Sequence, residues 1–117
     1  MTLAKRSEKG LLTPDNCLLA MIDLQPQMLF GVANLDRQTV INNNVLLAKA
    51  AKLFGIPVVL SSVETKSFSG NTWPQITSIF PGNTPIERTT MNSWDDSNFV
   101  AAVEKTGRKK IVLVKPV

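Results

Sequence analysis

Leu18-Leu19-Ala20-Met21-Ile22-Asp23-Leu24-Gln25-Pro26-Gln27 decides how the rest of the chain is read. Five apolar residues run without a break into a carboxylate, a Gln and a Pro. A continuous apolar run that ends in polar groups and a helix breaker predicts a strand buried on both faces, as in a parallel sheet. Asp23 then stands at the carboxyl end of that strand, where ligands bind in open α/β sheets. Position alone leaves two readings open for it: a catalytic carboxylate, or a residue that caps the next helix or fixes a turn.

Upstream, Thr13-Pro14-Asp15-Asn16 is a turn signal. Residues 1–12 read as a flexible N-terminal segment ahead of a domain spanning 13–117. Cys17 opens the strand and reads as a small buried hydrophobe, since no cation stands near it in sequence to favour its thiolate.

Downstream, Gln25 to Gly31 predicts a short helical turn. Asp36 offers an N-cap to a helix over Arg37 to Phe54, with Val40, Leu47, Ala51 and Phe54 on its inward face. Asn42-Asn43-Asn44 lowers helix propensity at its middle. Gly55 ends the helix and Pro57 cannot continue it. Pro57 to Val63, rich in β-branched residues, is a second strand ending at Glu64. Strand, helix and strand make a right-handed βαβ unit.

After a loop over Lys66 to Asn71, Thr72 is expected to cap a helix from Trp73 to Phe80. Pro85 to Arg88 is a weak extended piece. Asp95 or Asp96 caps a helix ending near Thr106, with Phe99, Val100 and Val103 inward. Ile111 to Val114 is a short, fully apolar strand. The order β-α-β-α-β-α-β predicts an α/β fold, a three-layer, Rossmann-like, doubly wound parallel sheet. The last strand expects neighbours on both sides and helices on both faces, so the sheet reads as incomplete, the first part of a larger one.

Composition narrows the chemistry. At 117 residues, 44% hydrophobic and 19% charged, the chain reads as one globular domain or part of one. It holds no histidine and a single cysteine. Ser-His-Asp and Cys-His arrangements within the chain are excluded, as are His-ligated metal sites and an intrachain disulfide. No G-x-G-x-x-G follows the first strand and no G-x-x-x-x-G-K occurs, which argues against a dinucleotide or P-loop fold. The expectation is no metal and no cofactor.

The net charge of +4 is modest, and no aromatic residues interleave with its basic groups as a single-strand nucleic-acid surface would need. No stretch approaches the length of a membrane span or a signal peptide, and the expected location is the cytoplasm.

Four segments together resemble the isochorismatase-like cysteine hydrolases. They are Asp23-Leu24-Gln25, Gly55 to Thr65, Arg88 with Asn92-Ser93-Trp94-Asp95, and Thr106-Gly107-Arg108-Lys109-Lys110-Ile111-Val112-Leu113. The resemblance implies an Asp, a Lys or Arg, and a Cys acting together. The Asp maps to Asp23 and the basic residue to Arg88. Both end predicted extended segments, so they are expected side by side. The family Cys follows the strand that here is Ile111 to Val114, and this sequence reads Lys115-Pro116-Val117 there. Cys17 lies at the wrong end of the wrong strand to replace it.

The implied chemistry is hydrolysis of a small amide or related C–N bond. A thiolate attacks the carbonyl, and a carboxylate takes and returns the proton. A cation beside them favours both anions, and Arg88 could supply that field but could not act as a base.

Gln25, Phe30, Glu64, Asn92 and Trp94 are the candidate substrate-binding residues. Each has a plainer reading: Gln25 as a cap, Asn92 as a fastener of the loop bearing Arg88, Phe30 and Trp94 (like Trp73) as core, Glu64 as a strand end. The family's nicotinamidases carry a His-ligated metal, which this sequence does not match. The expected partners are a small-molecule substrate and further copies of the chain, with no nucleic acid or membrane. Either the chain is a fragment of a longer enzyme, or it is a non-catalytic truncated remnant that acts by associating with another subunit.

Overall fold

The computed structural model describes residues 10–33, 36–67 and 69–115. Its elements are β1 (Cys17–Ile22), α1 (Pro26–Phe30), α2 (Arg37–Leu53), β2 (Val58–Val63), α3 (Pro74–Thr77), β3 (Ile86–Arg88), a 3-10 turn (Ser93–Asp95), α4 (Ser97–Lys105) and β4 (Lys110–Val114). The four strands lie in the order β3-β2-β1-β4, and every pairing is parallel. The helices cover both faces, so the expected three-layer α/β architecture is what forms.

β1 is buried along its whole length because both its edges and both its faces are occupied. Leu19 and Met21 join Leu60 of β2 under Ala48 and Ala51 of α2 and Ile76 of α3. Leu18, Ala20 and Ile22 join Val59 under Phe99 and Val103 of α4. Successive strand residues point to opposite faces, so one apolar run supplies both cores.

Capping follows the sequence at two helices. The Asp36 carboxylate accepts from the Thr39 amide at 2.9 Å, and the Asp96 carboxylate accepts from the Phe99 amide at 2.9 Å. The expected Thr72 cap is not made: Trp73 takes the N-cap position of the single turn α3, with no side-chain bond. Pro74 fits the first turn because the N–H it lacks would have no partner within the helix.

The inward face of α2 also differs from the expected one. Ala48 and Ala51 are its buried residues, with Val40, Ile41 and Val45 packed at the margin. Leu47 and Phe54 are exposed. Small side chains let the helix sit close on the sheet, and that proximity outweighs the pull of the larger residues.

β4 pairs with β1 alone and forms a sheet edge among the described residues. Ile111 and Leu113 are exposed, while Val112 and Val114 pack against the α2 core. Of the N-terminal segment, residues 1–9 lie outside the description. The Leu11 carbonyl accepts from Asn16 Nδ2 at 3.1 Å and from Lys110 Nζ at 3.0 Å.

Candidate active site

The end of β1 is where backbone geometry and charge meet. Ile22 faces the α4 layer, so strict alternation would turn Asp23 to the other face. Asp23 instead has φ of 59°, a left-handed conformation that costs a non-glycine residue about 1–2 kcal/mol. Its amide donates to the Ser61 carbonyl at 2.9 Å, which holds it to the end of β2. Such strain persists where surrounding contacts over-determine it, and here an ion pair does so.

Arg88 ends β3 and its side chain is wholly buried. Nη1 donates to Asp23 Oδ1 at 2.7 Å and Nη2 to Oδ2 at 3.1 Å, a two-pronged pair. The remaining Nη hydrogens go to Ser61 Oγ at 3.0 Å and the Met91 carbonyl at 3.3 Å. Nε has no partner. Burying two charges is costly, and it is offset only where geometry is good and the remaining donors are satisfied. Four of the five guanidinium donors meet that condition.

Sequence reasoning placed Asp23 and Arg88 together but missed Ser61. Its carbonyl holds Asp23 and its hydroxyl holds Arg88, so it ties both members of the pair to β2. A Ser in the middle of a strand gives no local signal of that role.

The five other candidates separate. Asn92 and Trp94 line a cavity of about 380 Å³, together with Ile22, Phe99, Ile111 and Leu113. Ile22 and Met91, both in its wall, are the chain neighbour of Asp23 and the acceptor for Arg88. Trp94 packs edge-on against Phe99, with ring centroids 6.3 Å apart. Asn92 Oδ1 accepts from the Trp94 amide at 3.0 Å, and the Asn92 carbonyl accepts from Thr90 Oγ1 at 2.9 Å, so Asn92 also fastens its loop.

Glu64 is exposed, has φ of 46° and lines a different cleft, shared with Arg88 and Glu87. Gln25 is fully buried and takes the N-cap position of α1, but its side chain neither makes a cap bond nor meets the Asp23 carboxylate. Its Nε2 donates to the Val63 and Gly70 carbonyls at 2.9 and 2.6 Å, and its Oε1 accepts from the Val63 amide at 2.9 Å. With both amide hydrogens committed, Gln25 locks β2 and the following loop to the end of β1 and has no donor left for a ligand. Phe30 is exposed at the end of α1, with the Arg37 guanidinium 5.5 Å from its ring centroid, and it lines neither cavity. Trp73 is core.

Cys17 is buried at the opposite end of β1, and its thiol donates to the Thr13 carbonyl at 3.2 Å. Five strand residues lie between it and Asp23, roughly 20 Å at the usual rise. No group of three or more potential metal ligands occurs among the described residues.

A family model described as the isochorismatase domain matches residues 17–114. The chain belongs to the isochorismatase family. Among curated members of known sequence, the probable hydrolase YcaC of Escherichia coli (strain K12) is 28% identical over 103 residues, covering 87% of this chain and 50% of that protein. The crystal structure of the Escherichia coli YcaC gene product, an octameric hydrolase of unknown specificity, matches with a TM-score of 0.80 at 30% identity, over 87% of this chain and 50% of that one. YcaC from Pseudomonas aeruginosa, solved with hexane-2,5-diol and covalent acrylamide, matches with a TM-score of 0.81 at 30% identity, over 87% and 51% of the two chains. MAR1 ribonuclease from Caenorhabditis elegans shares the fold, with a TM-score of 0.72 at 24% identity. The chain thus spans about half the length of these isochorismatase-family relatives.

Proposed function

We propose that this chain carries the acid–base part of an isochorismatase-family cysteine hydrolase acting on small amides or related C–N bonds. The observation that supports it is the buried, two-pronged Asp23–Arg88 pair at the carboxyl end of a parallel sheet. In this reading Asp23 accepts the proton of a cysteine thiol supplied by polypeptide beyond this chain. The thiolate attacks the carbonyl carbon, a C–S bond forms and the C–N bond breaks, and Asp23 returns the proton to the leaving nitrogen. Water then displaces the thiol from the acyl carbon, Asp23 taking a water proton and giving it back to sulfur. Arg88 keeps the carboxylate aimed through its two-pronged pair. Asn92 and Trp94 wall the adjoining cavity, which suits a small, flat substrate.

The family's octameric relative supports action as a homo-oligomer. No helix among the described residues is long and apolar enough to cross a membrane, and with the lone cysteine this supports a cytoplasmic site of action. One observation favours a second reading, a non-catalytic remnant that works by association: among the described residues β4 is an outer strand of the sheet, with Ile111 and Leu113 exposed.

The test is a chimera. This chain is joined after Val114 to the remaining part of a family member that carries the expected cysteine turn. The chimera is expected to hydrolyse small amides and to lose at least ~10²-fold in rate on Asp23→Asn, whereas the chain alone shows no turnover. Chimera turnover indifferent to Asp23→Asn overturns the proposal, as does turnover by the chain alone that disappears in Cys17→Ala.

A further inference from the structure

β1 stops pairing before its neighbour β2 ends. The Asp23 amide donates to the Ser61 carbonyl at 2.9 Å. Alternate residues of a strand turn their backbone groups to the same neighbour, so Val63 is the next residue of β2 that faces β1. A straight β1 would meet it with backbone. Instead the Asp23 carbonyl accepts from the Gln25 amide at 2.8 Å, which closes a tight turn about Leu24. The turn leaves the N–H and C=O of buried Val63 without a strand partner on that side. Buried backbone groups of this kind have to be met by something else.

The Gln25 side chain meets both. Its Oε1 accepts from the Val63 amide and its Nε2 donates to the Val63 carbonyl, each at 2.9 Å. A side-chain amide carries a donor and an acceptor in one plane, as a peptide does, so Gln25 stands in for the strand that β1 does not supply. The second Nε2 hydrogen goes to the Gly70 carbonyl at 2.6 Å, and the Trp73 amide donates to the Leu24 carbonyl at 2.8 Å. Gly70 has φ of 77°, and a Cβ there would stand 3.3 Å from Pro26 Cδ. The segment from Gly70 to Trp73 is thereby closed over the turn that follows Asp23.

That turn decides which face the carboxylate reaches. Ile22 and Ser61 are paired in register and lie on the α4 side, where Ser61 Oγ accepts from Arg88. A straight β1 carries Asp23 to the α2 side, whereas the left-handed turn returns it to Arg88. We propose that Gln25 is a positioning residue for Asp23: by replacing the missing strand it lets β1 turn there, and so aims the carboxylate at Arg88. The catalytic part of this inference rests on the hydrolase reading above; the geometric part does not. Gln25→Met keeps the length of the side chain but offers no N–H donor, so the Val63 groups are met again only if β1 straightens. Straightening draws Asp23 off Arg88.

The first measurement uses the full chain alone and reads the Arg88 guanidinium by nitrogen-15 NMR. A guanidinium gripped on both Nη atoms cannot rotate freely, so separate Nη1 and Nη2 signals are expected for Arg88 in the wild type. They are expected to merge in Gln25→Met. Leu19→Ala, a core change away from the pair, is the control for general loss of stability and is expected to keep them separate. Arg88 signals that stay separate in folded Gln25→Met overturn the proposal, as does their merging in Leu19→Ala to the same degree. Should Gln25→Met fail to fold, Gly70→Ala, which loosens the same latch from the loop, decides in its place by the same signals. The second measurement is made in the chimera. Gln25→Met is expected to lower kcat per folded chain by roughly 10- to 100-fold, with KM within about twofold because Gln25 does not touch substrate. An unchanged kcat per folded chain overturns the catalytic role. A wild-type chimera without turnover counts against the hydrolase reading, and the NMR result then still decides the geometry.

Discussion

β1 and β4 are hydrogen-bonded neighbours with similar sequences, CLLAMI and KIVLV, yet they live in different surroundings. Every residue of β1 is buried, whereas β4 alternates between half-buried and exposed. Both are apolar enough for a strand covered on two faces. β1 receives that cover from β2, β4 and helices on either side. Among the described residues β4 receives it on the α2 face alone, and Ile111 and Leu113 stand open beside the cavity that Trp94 walls. An apolar run therefore reports the surroundings a strand is suited to, and only its neighbours determine whether it has them.

The sharpest consequence lies where β1 ends. Asp23 is as buried as the strand before it, and Arg88 is its only charged partner among the described residues. Arg88→Met leaves a carboxylate uncompensated in the interior and is expected to cost about 3–5 kcal/mol in denaturant unfolding, a large share of a typical ~5–15 kcal/mol margin. Combining it with Asp23→Leu is expected to recover much of that loss, because the cost resides in the unpaired charge. A single-variant loss within ~0.5 kcal/mol of zero would mean that the end of β1 is as wet as β4.

Next in size is the contrast between the strands themselves. Leu19→Ala opens a cavity under Ala48 and Leu60 and is expected to cost about 2–5 kcal/mol. Leu113→Ala removes a side chain that is 62% exposed and is expected to stay within about 0.5 kcal/mol. Urea midpoints at constant slope measure both. A cost for Leu113→Ala comparable to that of Leu19→Ala would show that another chain or subunit covers β4 in solution. In that case Leu113→Lys would also lower the sedimentation coefficient.

The sequence was informative where one residue's chemistry has one outlet. Asp36 and Asp96 cap helices because a carboxylate just ahead of an apolar period can accept orphan amides. The apolar run of β1 and the β-branched run of β2 specify buried strands, and the polar group that ends β1 locates Asp23, while Arg88 ends the weak extended piece that forms β3. It was less informative where a group has several outlets. The Gln25 amide could meet backbone, carboxylate or ligand, and only the folded position of the Gly70 loop shows that it takes backbone. Leu47 and Phe54 look like core by size, yet the closeness of α2 to the sheet favours alanine. Ser61 has no local mark at all, because its role depends on strands brought together from distant parts of the chain.

The smallest effect contrasts the buried carboxylate of β1 with an exposed one at the start of α2. Asp36 Oδ2 accepts from the Thr39 hydroxyl and amide, both at 2.9 Å. These bonds, the hydroxyl's foremost, hold its carboxyl below the ordinary 3.8 in the folded chain. A group whose folded value is depressed stabilises the fold fully above its unfolded value and loses that contribution as pH falls through the folded one. Asp36→Ala is therefore expected to lower the thermal midpoint by a constant amount at mildly acidic and neutral pH, and by less than either change at β1. The difference from wild type should begin to shrink near pH 3.8 and continue to shrink as the folded carboxyl is protonated. Asp36→Asn retains a side-chain acceptor without the charge, so its midpoint relative to Asp36→Ala should show no such dependence. A difference between wild type and Asp36→Ala that persists unchanged well below that pH would show that the cap works through its shape alone, with no contribution from the charge.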